Sequence, residues 1–151
     1  PLPVEIASRG FGHQKGQLIL PAVGDVIGTF GWYDVEGADD RAFRGGIDIE
    51  APQDGPVRAV YAGQVRRAER IRGFGTAVIL DHGEGFFTIY AHLATLGTSV
   101  GEMVATGQPI GTVGDSGSTR GVLLHFEIRQ HSDPVDPLEW VKLPPGIKVR
   151  D

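Results

Sequence analysis

The 151-residue chain contains no cysteine. That excludes a disulfide scaffold, a thiolate metal site and a cysteine nucleophile, and it leaves the compartment open. Long apolar runs are missing too. No stretch approaches the roughly 18 residues needed to cross a membrane, and no signal peptide opens the chain. Pro1 in place of Met reads as an excised fragment. Helical periodicity is equally scarce, since no window keeps apolar residues at i, i+3, i+4 and i+7 for three turns. A basic surplus is absent as well: 14 Lys and Arg stand against 19 Asp and Glu, a formal net charge of −5. A surface that neutralises phosphates is therefore not expected, and no nucleic-acid partner is inferred. Arg66, Arg67, Arg70 and Arg72 form one basic cluster, which reads as a charged, solvated face.

What the chain does have is turn formers. Glycine numbers 23 and proline 10, dispersed between short apolar runs, and 40% of residues are hydrophobic. Many tight turns between apolar runs imply many short strands. The spacing predicts strands over 26–30, 47–50, 76–80, 86–91, 109–113 and 122–128, a short apolar run at 17–22, and a hairpin joining 56–60 to 64–66. Residues 34–44 are polar and without period, so a surface loop is expected there. One or two helical turns are expected near 137–141. The fold class is all-β: a compact antiparallel sandwich or barrel-like domain with long surface loops. Residues 1–16 read as a lead-in, 17–143 as one domain and 144–151 as a C-terminal tail.

Three polar residues interrupt β-branched runs. Asp48 lies between two isoleucines, while His92 and His125 end or break apolar strands. A buried polar side chain needs a partner. A meeting of two histidines and an aspartate has the composition of a catalytic zinc site, and three unrelated hydrogen-bonded residues would read the same way. His82 sits in an Asp-His-Gly turn and is expected to bond within it; His13 and His131 are expected to be solvated. Gly114-Asp115-Ser116-Gly117 lacks the full nucleophile-elbow pattern and reads as a loop.

Residues 44–140 resemble the LytM/lysostaphin-like zinc peptidases, which cut peptide cross-links of bacterial peptidoglycan. The resemblance rests on an ordered series: Gly46-Ile47-Asp48-Ile49-Glu50-Ala51-Pro52, Tyr90-Ala91-His92-Leu93, Gly107-Gln108-Pro109-Ile110-Gly111, Gly114-Asp115-Ser116-Gly117 and Leu124-His125-Phe126-Glu127-Ile128. It implies that Asp48 and His125 match metal ligands and that His92 matches a catalytic histidine. Two positions depart. Arg44 stands at the first ligand position, and Leu123 at the first histidine of a His-x-His pair. A guanidinium has no lone pair for a metal and stays charged. Leu123 offers no hydrogen bond to a water or an oxyanion. Arg44 is expected to pair instead with Asp48, four residues on.

Arg44, Asp48 and His125 are thus read as vestigial ligand positions, with His92 and Leu123 as vestigial catalytic ones and no cofactor. The resemblance is then nearest the degenerate EnvC/NlpD-type activators, which use the former active-site groove to bind and switch on N-acetylmuramoyl-L-alanine amidases in cell division. It implies a bacterial periplasmic or envelope location, an amidase partner, contact with peptidoglycan as a further option, and a binding groove of Arg44, Asp48, Tyr90, His92, Leu123 and His125, bordered by the loop 34–43. Leu123 and Tyr90 are the expected apolar anchors. The alternatives are a zinc endopeptidase with atypical ligands and a plain peptidoglycan-binding module.

Overall fold

The computed structural model describes residues 10–150. The described strands are β1 (Asp25–Gly28), β2 (Gly31–Asp34), β3 (Arg41–Arg44), β4 (Ile47–Glu50), β5 (Pro56–Arg58), β6 (Gly63–Ile71), β7 (Gly75–Asp81), β8 (Phe86–Ala91), β9 (Leu93–Leu96), β10 (Met103–Val104), β11 (Pro109–Val113), β12 (Leu124–Gln130) and β13 (Asp133–Val135). The fold is all-β, with two short 3-10 turns at Phe11–Gln14 and Pro137–Glu139. The main sheet runs β1-β4-β12-β8-β7-β6-β10, with β13 also on β12; smaller sheets are β5-β11-β9 and the hairpin β2-β3. Its pairings are antiparallel.

β12 occupies the centre of the main sheet, between β4 and β8, and this placement builds the site. Its register sets His125 opposite both Asp48 of β4 and Ala91 of β8. Residues far apart in sequence therefore meet at the same end of three adjacent strands. The core below is apolar, with Ile47, Ile49, Leu80, Leu124, Phe126 and Ile128 essentially inaccessible.

Several segments differ from the sequence expectation. Residues 34–44 are not an open loop: Trp32 pairs with Phe43 and Gly31 with Arg44 in the β2-β3 hairpin. Its polar, glycine-containing tip concealed two four-residue strands. Residues 56–60 and 64–66 do not form a hairpin. β5 joins β11 and β6 joins β7, so the Ala62-Gly63 turn carries the chain from one sheet to another. The apolar run 17–22 makes only an isolated bridge, Leu18 to Val141, and buries Leu18 and Leu20 without a ladder. β9 and β10 carry no clear alternation and were not expected. The helical turn near 137–141 is a 3-10 turn, capped by Asp136 Oδ1, which accepts from Leu138 N at 3.0 Å.

Of the expected lead-in, residues 1–9 lie outside the described residues. Phe11 within it is wholly buried, stacked on His82 at 4.7 Å and on Trp140 at 5.2 Å between ring centroids. Burying such a ring contributes roughly 1.5–3 kcal/mol. In the tail, Val149 bridges Val26, and Arg150 lies 3.3 Å from both Asp25 and Glu50. These contacts cover the free edge of β1, an edge that would otherwise offer unpaired backbone groups.

Candidate functional site

A cleft of about 490 Å³ opens where β3, β4 and β12 meet the loop 114–123, and Arg44, Asp48, His92, Leu123 and His125 all line it. At its floor, Asp48 is held from three sides. Arg44 Nε lies 3.3 Å from Oδ2, Arg120 Nη1 donates to Oδ2 at 3.0 Å, and His125 Nδ1 donates to Oδ1 at 2.7 Å. The expected Arg44–Asp48 pair is therefore present. Arg44 is fixed further by donating from Nη1 to the Thr29 carbonyl at 3.0 Å and by lying 4.3 Å over the Tyr33 ring. Such planar stacking and forked bonding are what a guanidinium does better than an ammonium.

His125 bridges two carboxylates. Its Nε2 donates to Glu127 Oε2 at 2.7 Å, and Glu127 Oε1 accepts from Arg129 Nη2 at 2.7 Å. Residues 125, 127 and 129 alternate along β12 and so share one face of the sheet. Burial alone would lower the His125 pKa, but the bonds and charges of Asp48 and Glu127 outweigh it and raise the pKa to about 9. The ring is thus an imidazolium at neutral pH. Burial alone would raise the carboxyl pKa values of Asp48 and Glu127. In Asp48 the His125 bond and charge, with Arg44 and Arg120, reverse that and hold it below the usual range. In Glu127 it is His125 and Arg129 that do so.

His92 joins the site from the junction of β8 and β9, with φ of 66°, a conformation seldom adopted by residues other than glycine. The strain buys a sharp exit from the main sheet into the small one, and its backbone N–H is satisfied by the Phe74 carbonyl. His92 Nδ1 donates to the Ser116 carbonyl at 2.7 Å. Partial burial is the largest cause lowering the His92 pKa, and the nearby His125 adds to it. The ring is neutral, with Nε2 left as an acceptor. Ser116 also donates from Oγ to the Leu93 carbonyl and accepts from Thr76 N. The 114–117 segment is therefore the loop expected, stapled between β7 and β9, and it carries Arg120 to the cleft.

Two expected positions need correction. Tyr90 does not reach the groove. It is fully buried, its hydroxyl accepts from Val60 N at 3.1 Å and lies 2.9 Å from Thr88 Oγ1. A tyrosine at the inward position of a central strand packs into the core, and here it rests on Phe126. Leu123 lines the cleft but is 2% exposed, too little to anchor a partner. His82 also differs from expectation. Instead of bonding within its turn it is wholly buried, 2.8 Å from the Ala62 carbonyl and 2.7 Å from Thr88 Oγ1.

Phe43, in the segment expected to border the groove, lines the cleft, whereas Arg120, Glu127, Arg129 and Tyr33 were not expected. The His-x-Glu-x-Arg alternation of β12 carried a readable signal for Glu127 and Arg129. Arg120 sits in an irregular loop 72 residues from Asp48, and nothing local marks it.

The donor set does not fit a zinc ion. A fixed cation occupies the first ligand position, Arg120 adds a second on the same carboxylate oxygen, and both His125 nitrogens are engaged by carboxylates, at Asp48 Oδ1 and Glu127 Oε2. Among the described residues, no three His, Asp or Glu side chains are placed to hold a metal. No hydrolytic step is derived through one.

Residues 42–137 match the model of Peptidase family M23. The chain is 35% identical over 144 residues to the cell division protein DipM of Caulobacter vibrioides, covering 91% of this chain and 22% of that protein. It is 33% identical over 132 residues to the murein hydrolase activator EnvC of Escherichia coli, covering 87% of this chain and 30% of that one. The chain thus spans only about a quarter of the length of these relatives. Among solved structures, the catalytic domain of the antimicrobial peptidase lysostaphin from Staphylococcus simulans superposes with a TM-score of 0.68 at 26% identity, over 76% of this chain and 90% of that one. By its sequence match, its ordered motifs and its all-β architecture, the chain belongs to Peptidase family M23, with a LytM-type domain.

Proposed function

We propose that this domain is a non-catalytic member of its family, which binds a peptidoglycan amidase through the cleft and activates it during bacterial cell division. The observation that carries the reading is the fate of Asp48. Its carboxylate is consumed by Arg44, Arg120 and His125, while the cleft above it stays open and rimmed by aromatic side chains. A site that has traded a ligand set for an ion-pair network keeps its shape and loses its hydrolytic chemistry. The likeness to a cell division protein and to a murein hydrolase activator supports a role in division and an envelope location, and it favours amidase activation over cross-link cleavage.

The test is release of labelled fragments from purified sacculi. The domain alone releases nothing, and a purified amidase from the same organism releases label several-fold faster when the domain is added. Cleavage by the domain alone that a chelator abolishes would instead establish an atypical zinc endopeptidase. Retention on sacculi with neither effect would leave a peptidoglycan-binding module.

A further inference from the structure

The β2-β3 hairpin pairs with no other strand among the described residues, and it carries the largest exposed aromatics of the molecule. Trp32 is 63% exposed and Phe43 44%, and the two rings meet edge-on at 5.3 Å. Exposed aromatic area of this kind is unfavourable in water and concentrates binding energy when covered. The hairpin is continuous with the cleft, since Phe43 and Tyr33 line both.

Charge at the cleft floor runs against the rest of the chain. The protein carries a formal net charge of −5. The guanidiniums of Arg44, Arg120 and Arg129 there are ion-paired with two carboxylates, Asp48 and Glu127, even with His125 left out, while Asp34 and Glu36 share a neighbouring cleft with Arg44 and Arg120. Arg44 is committed on three sides. Arg120 is not: its side chain is about half exposed and only Nη1 is engaged, on Asp48. Its remaining N–H groups form a fork suited to one carboxylate. The hairpin is polarised as well. Arg44 lies at its base, opposite Gly31, while Asp34, Glu36, Asp39 and Asp40 crowd its tip and outnumber Arg41, which pairs opposite Asp34 and lies 5.5 Å over the Trp32 ring. An acidic group is attracted at the base and repelled at the tip, so a partner can dock in only one direction.

We propose that Arg120 and the outer face of the β2-β3 hairpin form a docking surface for a protein partner that presents one carboxylate side chain to Arg120 and an adjacent apolar side chain to Trp32 and Phe43. This rests on the reading that the domain activates an amidase and names the chemistry that amidase must offer. Trp, Tyr and Arg clustered at one place favour a protein over a small peptide fragment of the wall, because they provide the anchor residues on which protein interfaces depend.

The experiment measures binding of a purified amidase from the same organism by biolayer interferometry at several salt concentrations, with stimulation of that amidase measured in parallel. Arg120→Glu and the double variant Trp32→Ser/Phe43→Ser each weaken binding about 30-fold or more, and Arg120→Glu also flattens the salt dependence. Arg67→Glu, on the exposed face of β6, leaves binding unchanged. Thermal unfolding midpoints check that all variants are folded, which the exposure of these side chains favours. Normal binding and stimulation with both groove variants would overturn the docking surface while leaving amidase activation standing. No amidase bound or stimulated by the wild type would remove the activation reading itself. If Arg120→Glu instead abolished retention on protein-free sacculi and left amidase binding intact, the ligand would be a wall peptide and the protein partner would be wrong.

Discussion

Gly28 of β1 lies directly against Arg44: a Cβ built on it would sit 2.8 Å from the guanidinium carbon and 2.9 Å from Asp48 Oδ2. The ion pair is thus packed on bare backbone, and the glycine is part of the rebuilt site. Intrinsic preference alone says that Ala for Gly within a strand gains roughly 0.5–1 kcal/mol. Overpacking a filled site costs about 1–3 kcal/mol. Packing is the larger effect, so Gly28→Ala is expected to destabilise by about 1–2 kcal/mol in urea unfolding. The penalty should shrink in an Arg44→Ala background, where only Asp48 Oδ2 remains within 3 Å of the added methyl. Equal effects in both backgrounds would show that residue 28 does not sense the pair.

Removing either end of the Arg44–Asp48 pair should have unequal effects. Arg44→Met leaves Asp48 with Arg120 and His125, so a loss of about 1–2 kcal/mol is expected. Asp48→Asn strands the Arg44 and Arg120 guanidiniums without their carboxylate and leaves the His125 imidazolium with Glu127 alone. Uncompensated charges in partly buried sites cost about 3–5 kcal/mol. Denaturant midpoints rank the two variants, and a larger loss for Arg44→Met would contradict the network described here.

Much of this was legible in the sequence, and the limits have physical causes. Alternation of apolar residues located β4, β7, β8, β11 and β12, because those strands are long enough or central enough to show it. The pairing of Arg44 with Asp48 followed from a cation standing at a metal-ligand position of the family pattern, four residues from a carboxylate. The β2-β3 hairpin escaped because its buried side is thin: Trp32 and Phe43 face solvent, so polar and apolar residues do not alternate by burial. Tyr90 was misplaced because motif position does not say which face of a strand a residue takes. Arg120 could be found only in three dimensions, since loop 114–123 folds back across the strand ends.

The position of Tyr90 can be tested against the groove role once expected of it. Its hydroxyl satisfies Val60 N within the core. Tyr90→Phe leaves that buried N–H unpaired, which costs about 1–3 kcal/mol. Stimulation of an amidase should nevertheless be unchanged at temperatures where the variant is folded. A selective loss of stimulation at full stability would place Tyr90 back in the groove.

His82 makes the fold sensitive to acid. Its ring lies between the Ala62 carbonyl and the Thr88 hydroxyl, and burial pushes its pKa down to about 4. The neutral ring donates from Nδ1 to Ala62 and accepts at Nε2. In the unfolded chain the same ring takes up a proton near pH 6.5, so between pH 6.5 and 4 unfolding binds a proton that the native state refuses. Stability is unaffected above pH 6.5 and falls by on the order of 3 kcal/mol towards pH 4. His82→Gln should be less stable at neutral pH yet show a shallower acid decline. An unchanged acid slope would assign the effect to other groups.

His125 acts at the other end of the scale and with the opposite sign. Its folded pKa is raised to about 9, above the ordinary 6.5, because its two N–H groups are held by Asp48 and Glu127. A raised histidine pKa contributes stability that is complete below pH 6.5 and is lost as pH rises through 9. The loss is on the order of 3 kcal/mol across that window, and it is drawn from the same ion pairs that hold the cleft floor. Unfolding midpoints should therefore decline from pH 7 to 9.5 in the wild type and stay nearly flat in His125→Gln. A carbon-bound ring proton of His125, followed by NMR, should titrate well above pH 7. Titration of His125 near pH 6.5 would mean that the imidazolium is not pinned between the two carboxylates, and the alkaline decline would then have to vanish with it.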